Sequence, residues 1–143
     1  MKVVLDSSVM IAAFATRGLC DSILEYCLEN HEVFLSNHLI LEIQKNLRKK
    51  IKLGLDEIEE IVSYFKDNMV LLEPARLPLD SCRDVNDVPV LGLCVVAEAN
   101  YLITGDKDLL VLGKFSDTAI VTPRQFSDLI HQNPGLVSKS ESH

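Results

Sequence analysis

The sequence has no tryptophan, and aromatic residues of all kinds make up only 6% of it, so any core must be built mainly from aliphatic side chains. Cysteine is also scarce. Cys20, Cys27, Cys82 and Cys94 form no C-x-x-C pair, which excludes a zinc knuckle or a thioredoxin-like redox motif. Apolar neighbours such as Leu19, Ile23, Leu93 and Val95 instead predict buried free thiols. Long hydrophobic runs are missing as well. The apolar N-terminal stretch is broken by Asp6, Ser7 and Ser8, so neither a secretory segment nor a membrane span is expected, and the expected location is the cytoplasm. Positive charge is in short supply: 14 Lys and Arg stand against 21 Asp and Glu, a net charge of −7. That balance argues against a general nucleic-acid coat, whose binding rests on neutralising phosphates. It does not exclude a metal-dependent nuclease, because a local excess of carboxylate can hold the cations that meet a phosphate.

What is present is the material of one ordinary domain, 143 residues of which 48% are apolar and 24% charged. Such a chain can bury a core without disulfides or structural metal. Hydrophobic periodicity predicts short strands over 2–5, 32–36, 70–72, 101–104 and 119–121. Between them it predicts helices over 9–15, 20–28, 37–50, 56–65, 88–99, 106–112 and 123–131. Gly18 separates the first two helices, Ser36 or Asn37 can cap the third, and Pro123 suits the first turn of the last. From Gln132 the apolar pattern stops, so a domain over 1–131 and a flexible tail over 132–143 are expected. The alternation implies an α/β fold, a three-layer α/β/α sandwich around a central parallel sheet of roughly five strands. Ligands in such folds bind beyond the carboxyl ends of the strands.

Three acids fall at that end. Asp6 follows the first strand, while Asp87 and Asp106 each open a helix after a loop. Any one of them reads most simply as an N-cap contributing ~0.5–2 kcal/mol. Three at one sheet edge would repel and raise one another's pKa, a conflict that a bound cation removes. Glu42 lies at the edge of the apolar stripe formed by Leu39, Ile40, Ile43, Leu47 and Ile51, beside Lys45 and Lys49. That spacing reads either as a solvated face with a weak Glu-Lys pair or as a carboxylate leaning toward the sheet. The basic run Lys45, Arg48, Lys49, Lys50 and Lys52 is either a solubilising helix end or a patch that steers RNA.

Three stretches together, VVLDSSVMIAAF, FLSNHLILEIQKNL and DVNDVPVLGLCVVAEANYLITGDKDLL, resemble PIN-domain nucleases over about residues 1 to 130. Within that family they are most similar to the toxin components of toxin-antitoxin systems, the VapC-like group. The resemblance implies a PIN-like fold and a metal-dependent endoribonuclease whose catalytic and metal-binding acids are Asp6, Glu42, Asp87 and Asp106. It implies assistance from the flanking acids Asp84 and Asp108, support from the hydroxyls of Ser7 and Thr104, and a cognate antitoxin protein as partner; a homodimer is compatible with it. Lys45 and Lys49, on the same side of their helix as Glu42, are then placed to contact the RNA backbone. Oxygen-only ligands favour Mg²⁺ or Mn²⁺ over zinc, and His31, His38, His131 and His143 read as surface or structural residues. Two positions depart from the family: Ser8 replaces an Asn that helps to order the site, and Pro89 replaces a more polar residue. Two other readings compete with the nuclease. One is a catalytically weak PIN domain serving as an RNA- or protein-binding module, supported by Ser8. The other is an aspartate-based phosphatase or receiver that uses Asp6 as nucleophile with Lys107 as its basic partner.

Overall fold

A computed structural model of the chain describes residues 1–132. The strand β1 (Lys2–Leu5) is the run KVVL, whose last three side chains are fully buried. A strand apolar on both faces belongs inside a covered parallel sheet. It pairs in parallel with β2 (Glu32–Leu35) on one side and β4 (Tyr101–Ile103) on the other. The short β3 (Val70–Leu71) extends the sheet beyond β2, and β6 (Thr118–Val121) extends it beyond β4. A sixth strand, β5 (Lys114–Phe115), closes that edge in antiparallel sense against β6. The expected count of about five strands therefore rises to six. Two residues are too few to carry a period, and Ser116, in a left-handed conformation at φ 54°, turns the chain back at once.

The sheet order is β3-β2-β1-β4-β6-β5. Connections run outward from β1 through β2 to β3 and then jump back across β1 to β4. Because parallel crossovers are right-handed, this reversal sends helices to both faces. It also makes the carboxyl ends of β1 and β4 a switch point, where neighbouring connections diverge and leave a crevice. Asp6 and Thr104 stand there, one residue beyond the paired Leu5 and Ile103.

The helices are α1 (Ser7–Ala15), α2 (Leu19–Asn30), α3 (Asn37–Lys49), α4 (Leu55–Asn68), α5 (Val88–Ala97), α6 (Lys107–Leu110) and α7 (Pro123–Gln132). Ser36 is the cap of α3, accepting from the Leu39 amide at 3.2 Å. Helix α5 ends two residues before the expected Ala99 because Glu98 turns left-handed at φ 53°, and the Glu98 and Ala99 amides bond back to Val95 and Cys94. Gln132, expected to begin a tail, is the last residue of α7; residues 133–143 lie outside the described part, and His143 with them. Cys27, Cys82 and Cys94 are buried as expected, whereas Cys20 is only partly so, and all four are free. Burial pushes the Cys27 and Cys94 thiols up to about 12. Among the described residues no single helix is long and apolar enough to cross a membrane.

Helix α5 is apolar all round and largely buried, with Val96 its one exposed side chain, and Asp87 stands at its start. Gly92 is the point of closest approach: the Ala75 amide donates to its carbonyl at 3.0 Å, and a Cβ there would overlap the Ala75 carbonyl oxygen and come 3.1 Å from Pro74 Cβ. Alanine is favoured over glycine by about 1 kcal/mol inside a helix. Here backbone blocks it, and overpacking costs about 1–3 kcal/mol. Gly92→Ala is thus expected to lower the urea midpoint, and an unchanged or raised midpoint would mean that the 74–77 segment yields freely.

Candidate active site

The residues after β1 and β4 are tied into one hydrogen-bond network. Thr104, completely buried, donates its hydroxyl to Asp6 Oδ2 at 2.7 Å and accepts from the Asp106 amide at 2.9 Å. Asp6 also accepts from the Ser7 amide at 2.8 Å and from the Ser8 hydroxyl at 3.2 Å. Ser7 in turn donates its hydroxyl to Glu42 Oε2 at 2.7 Å. Two strand ends and α3 are thereby joined through four acceptors and three hydroxyls. Asp106 accepts from the Asp108 amide at 2.9 Å and so does cap α6. Asp87 caps nothing. It opens α5 without a side-chain bond to any amide, its Oδ2 is buried without a hydrogen-bond partner, and the residue is only 6% exposed.

An open cleft of about 430 Å³ lies over this network, lined by His38, Leu41, Glu42, Lys45 and Asn46 of α3 and by Asp84, Asn86, Asp87 and Asp106 opposite. Asp6 is too buried to line it and stands behind. Carboxylate oxygens of Asp84, Asp87 and Asp108 come within 4.8 Å of one another. The electrostatic consequence is severe. Burial, then the neighbouring carboxylates of Asp106, Asp6 and Asp84, push the Asp87 carboxyl up to about 8. Burial also raises Asp6, against the hydrogen bonds from Thr104 and Ser7, and the charge of Glu42 adds to the rise. Glu42 goes the other way, lowered chiefly by its bond with His38. A hard divalent cation suits this set: the donors are all oxygen, and one buried carboxylate oxygen has no partner of its own.

The family model described as PIN domain matches residues 2–108 of the chain. The chain belongs to the PIN domain family. Among solved structures it is similar to VapBC-1 from nontypeable Haemophilus influenzae, with 15% identity and a TM-score of 0.63 over 87% of this chain and 99% of that one. VapC20 of Mycobacterium tuberculosis, a toxin that cleaves the sarcin-ricin loop, gives 11% identity and a TM-score of 0.59, covering 82% of this chain and 98% of its own. A protein of Pyrobaculum aerophilum gives 15% and 0.59, covering 92% and 96%. At such identities the likeness is one of fold. No curated protein matches the sequence.

In this PIN domain Glu42, Asp87 and Asp106, expected from the sequence with Asp6 as a quartet, line one cleft, while Asp6 stands behind it, joined to Glu42 through Ser7 and to Asp106 through Thr104; the carboxylates within 4.8 Å of one another are instead Asp84, Asp87 and Asp108. Asp84 and Asp108 adjoin Asp87, and the Arg83 guanidinium lies 3.6 Å from Asp108. Lys45 lines the cleft; Lys49, one turn further along α3, is exposed and lies outside its lining. Glu42 takes Ser7 and His38 as partners, so the expected Glu-Lys pair is not its main contact. His38, read from the sequence as a surface or structural residue, lines the cleft with Nε2 2.9 Å from Glu42 Oε1. The signal was its i,i+4 spacing to Glu42 on the cleft side of α3. Ser8, which stands where the family commonly has Asn, is tied into the same network: its hydroxyl donates to Asp6 and accepts from the Gly105 amide at 3.3 Å.

Proposed function

We propose that this PIN domain, a nuclease in general terms by its family, is a metal-dependent endoribonuclease and the toxin component of a toxin-antitoxin system. The observation that carries the reading is the buried, unpartnered Asp87 oxygen among three further carboxylates. Such a carboxyl either keeps a proton, as its raised pKa implies, or gives it up to a cation that meets the charge. Asp6, Glu42, Asp87 and Asp106 are the residues that would hold the cation, with Asp84 and Asp108 at its margin. When bound, Mg²⁺ or Mn²⁺ would supply the Lewis acidity that activates water and offsets charge on the phosphate. Thr104 and Ser7 hold the Asp6 and Glu42 carboxylates in place, so little reorganisation is needed on binding. The cleft is open enough for a backbone strand to enter over Lys45. The toxin role and an antitoxin partner rest on likeness in fold to VapBC-1 and VapC20.

The phosphatase or receiver reading is weaker. Asp6 is 3% exposed and both its oxygens already accept hydrogen bonds, which leaves a poor nucleophile. The binding-module reading rests on Ser8, whose hydroxyl is bonded to Asp6 and to the Gly105 amide within the site. Purified protein incubated with structured and single-stranded RNAs is expected to cleave at least one of them with Mg²⁺ or Mn²⁺ and none with chelator. Absence of cleavage throughout, or a trapped phosphoaspartate at residue 6, would overturn the proposal. Lys45 and Lys49 give a second check. Replacing both by Ala should flatten the slope of log affinity against log salt by ~1.4 for a single-stranded RNA. An unchanged slope would make the basic run a solvated helix end.

A further inference from the structure

Helix α3 shows the cleft two rows of side chains. His38, Glu42 and Asn46 recur every four residues as an inner, half-buried row, while Leu41 and Lys45 form an outer row on the lip and are both exposed. The apolar side of α3 is complete without Leu41. Leu39, Ile40, Ile43 and Leu47 are the buried side chains that seat the helix on the core, whereas Leu41 is 66% exposed. A single exposed aliphatic residue is ordinary on a protein surface. What sets Leu41 apart is its place: among the described residues that line the cleft it is the one apolar side chain, set among carboxylates, amides, an imidazole and an ammonium group. An apolar residue on the polar face of an otherwise well-patterned helix gains little from folding, so the departure points to a contact made with something outside the fold.

We propose that Leu41 is a substrate-binding residue, the apolar rest against which the base of one nucleotide beside the scissile phosphate packs, while Lys45 takes backbone phosphate on the other side. The proposal rests on reading the cleft as a cation-dependent ribonuclease site. The order of residues along the helix carries it. At a rise of about 1.5 Å per residue, Leu41 stands about 1.5 Å before Glu42 along the axis and Lys45 about 4.5 Å beyond it, so the two lip residues straddle the carboxylate. A nucleic-acid strand offers the matching alternation, a flat apolar base and an anionic phosphate within each nucleotide. Base faces pack on apolar side chains with little regard to sequence, and phosphates meet ammonium groups with none. Recognition is therefore one-sided: on one side of the cut bond the protein holds a base, on the other only backbone. A base reaches Leu41 only where it is unpaired and unstacked, because a duplex keeps its base faces covered.

The test uses a short single-stranded RNA that wild type cuts at one mapped bond, with two versions that carry an abasic residue immediately on one or the other side of that bond. Leu41→Ala is expected to raise KM for the intact RNA about tenfold with kcat retained, since a contact kept from ground state to transition state is lost uniformly. Leu41→Met keeps an apolar side chain of similar volume and should restore the wild-type KM. In wild type, removing the base on one side should raise KM about as much as Leu41→Ala does, and removing it on the other side should change little. In Leu41→Ala neither abasic RNA should differ from the intact one, because the partner of that base is already gone. Melting temperature, Mn²⁺ affinity and the slope of log affinity against log salt should keep their wild-type values, as Leu41 is exposed, has no ligating atom and carries no charge. Unchanged KM in Leu41→Ala, or an abasic penalty that persists in it, overturns the proposal. A loss of Mn²⁺ affinity overturns it too, since Leu41 would then support the carboxylates. If wild type cuts no RNA, the nuclease reading fails, and anisotropy titration of a labelled single-stranded RNA and its wholly abasic counterpart decides the role of Leu41. A wild-type preference of about tenfold for the strand with bases, abolished in Leu41→Ala, upholds it; equal binding of the two strands by wild type overturns it.

Discussion

Replacing Asp87 by Asn is expected to reduce metal-dependent RNA cleavage to the level seen with chelator, and at the same time to stabilise the metal-free protein at neutral and alkaline pH. The two effects have one cause. The carboxyl is 6% exposed and surrounded by the charges of Asp106, Asp6 and Asp84, which with burial push it up to about 8 from an ordinary 3.8. Between those values the folded state holds a proton that the unfolded chain has released. Stability then falls as pH rises, by at most about 1.4 kcal/mol per pH unit from this group. Below the unfolded value both states are protonated and the penalty vanishes; above about 8 it is complete. Asn has no proton to lose, and its amide can donate to Asp106. No cap is lost, because Asp87 makes none. With chelator present, the melting temperatures of wild type and variant should therefore diverge as pH rises, the variant being the more stable. Protons compete with the cation for the same oxygen, so wild-type Mn²⁺ affinity should also climb with pH through this window. Mn²⁺ should raise the wild-type melting temperature more than that of the variant by mass action. Equal Mn²⁺ shifts and undiminished cleavage in the variant would remove Asp87 from the site.

The fold was legible because its signals are local and redundant. KVVL and EVFL are short apolar runs bounded by polar residues, and buried parallel strands need nothing else. Ser36 and Pro123 mark helix starts by mechanisms that act within one turn. What the sequence hid depends on tertiary geometry. The strand β5 exists because Lys114 and Phe115 find β6 as a partner across a tight turn, not because two residues have a preference. Helix α5 stops at Ala97 where Glu98 adopts a left-handed conformation that a non-glycine residue gives no reason to expect. Nothing in the sequence marks Gly92, because only the fold brings the Ala75 carbonyl against it.

The candidate site divides along the same line. Helical angle could move Glu42 toward the sheet's end but could not choose its partner. The neighbouring lysines were visible in the sequence, whereas Ser7, 35 residues away, becomes a partner only once α1 and α3 pack. The three aspartates looked alike as helix caps, and the structure separates them: Asp106 caps α6, Asp6 bonds mainly to Thr104 and Ser7, and Asp87 caps nothing. That distinction rests on burial and on which amides face which oxygens, neither of which sequence spacing encodes. His38 was missed for a related reason. Its proximity to Glu42 lies within one helix and could be foreseen, but that both line a cleft closed on the other side by residues 84–87 follows only from the fold.

Thr104→Val should weaken Mn²⁺ binding about 10–100-fold although residue 104 need not touch the cation, because partners that orient metal ligands typically carry that weight. Valine nearly matches threonine in shape, so the change isolates the hydroxyl. That hydroxyl makes two bonds on opposite sides, donating to Asp6 Oδ2 at 2.7 Å and accepting from the Asp106 amide at 2.9 Å. Losing the first leaves Asp6 buried with less to offset its desolvation; Thr104 is the largest of the influences that lower its pKa, so the carboxyl rises further. A more protonated Asp6 is a poorer ligand at neutral pH, and the loss of affinity should shrink as pH is raised. Losing the second bond leaves the Asp106 amide without its acceptor, at a cost of about 1–3 kcal/mol. Stability and metal affinity should therefore fall together in Thr104→Val. Thr104→Ser separates them from any effect of the methyl group, since it keeps the hydroxyl and should bind Mn²⁺ nearly as wild type does. Thr104→Val with wild-type Mn²⁺ affinity at neutral pH would mean that Asp6 is held by Ser7 and Ser8 alone, and that the switch point between β1 and β4 does not organise the proposed metal site.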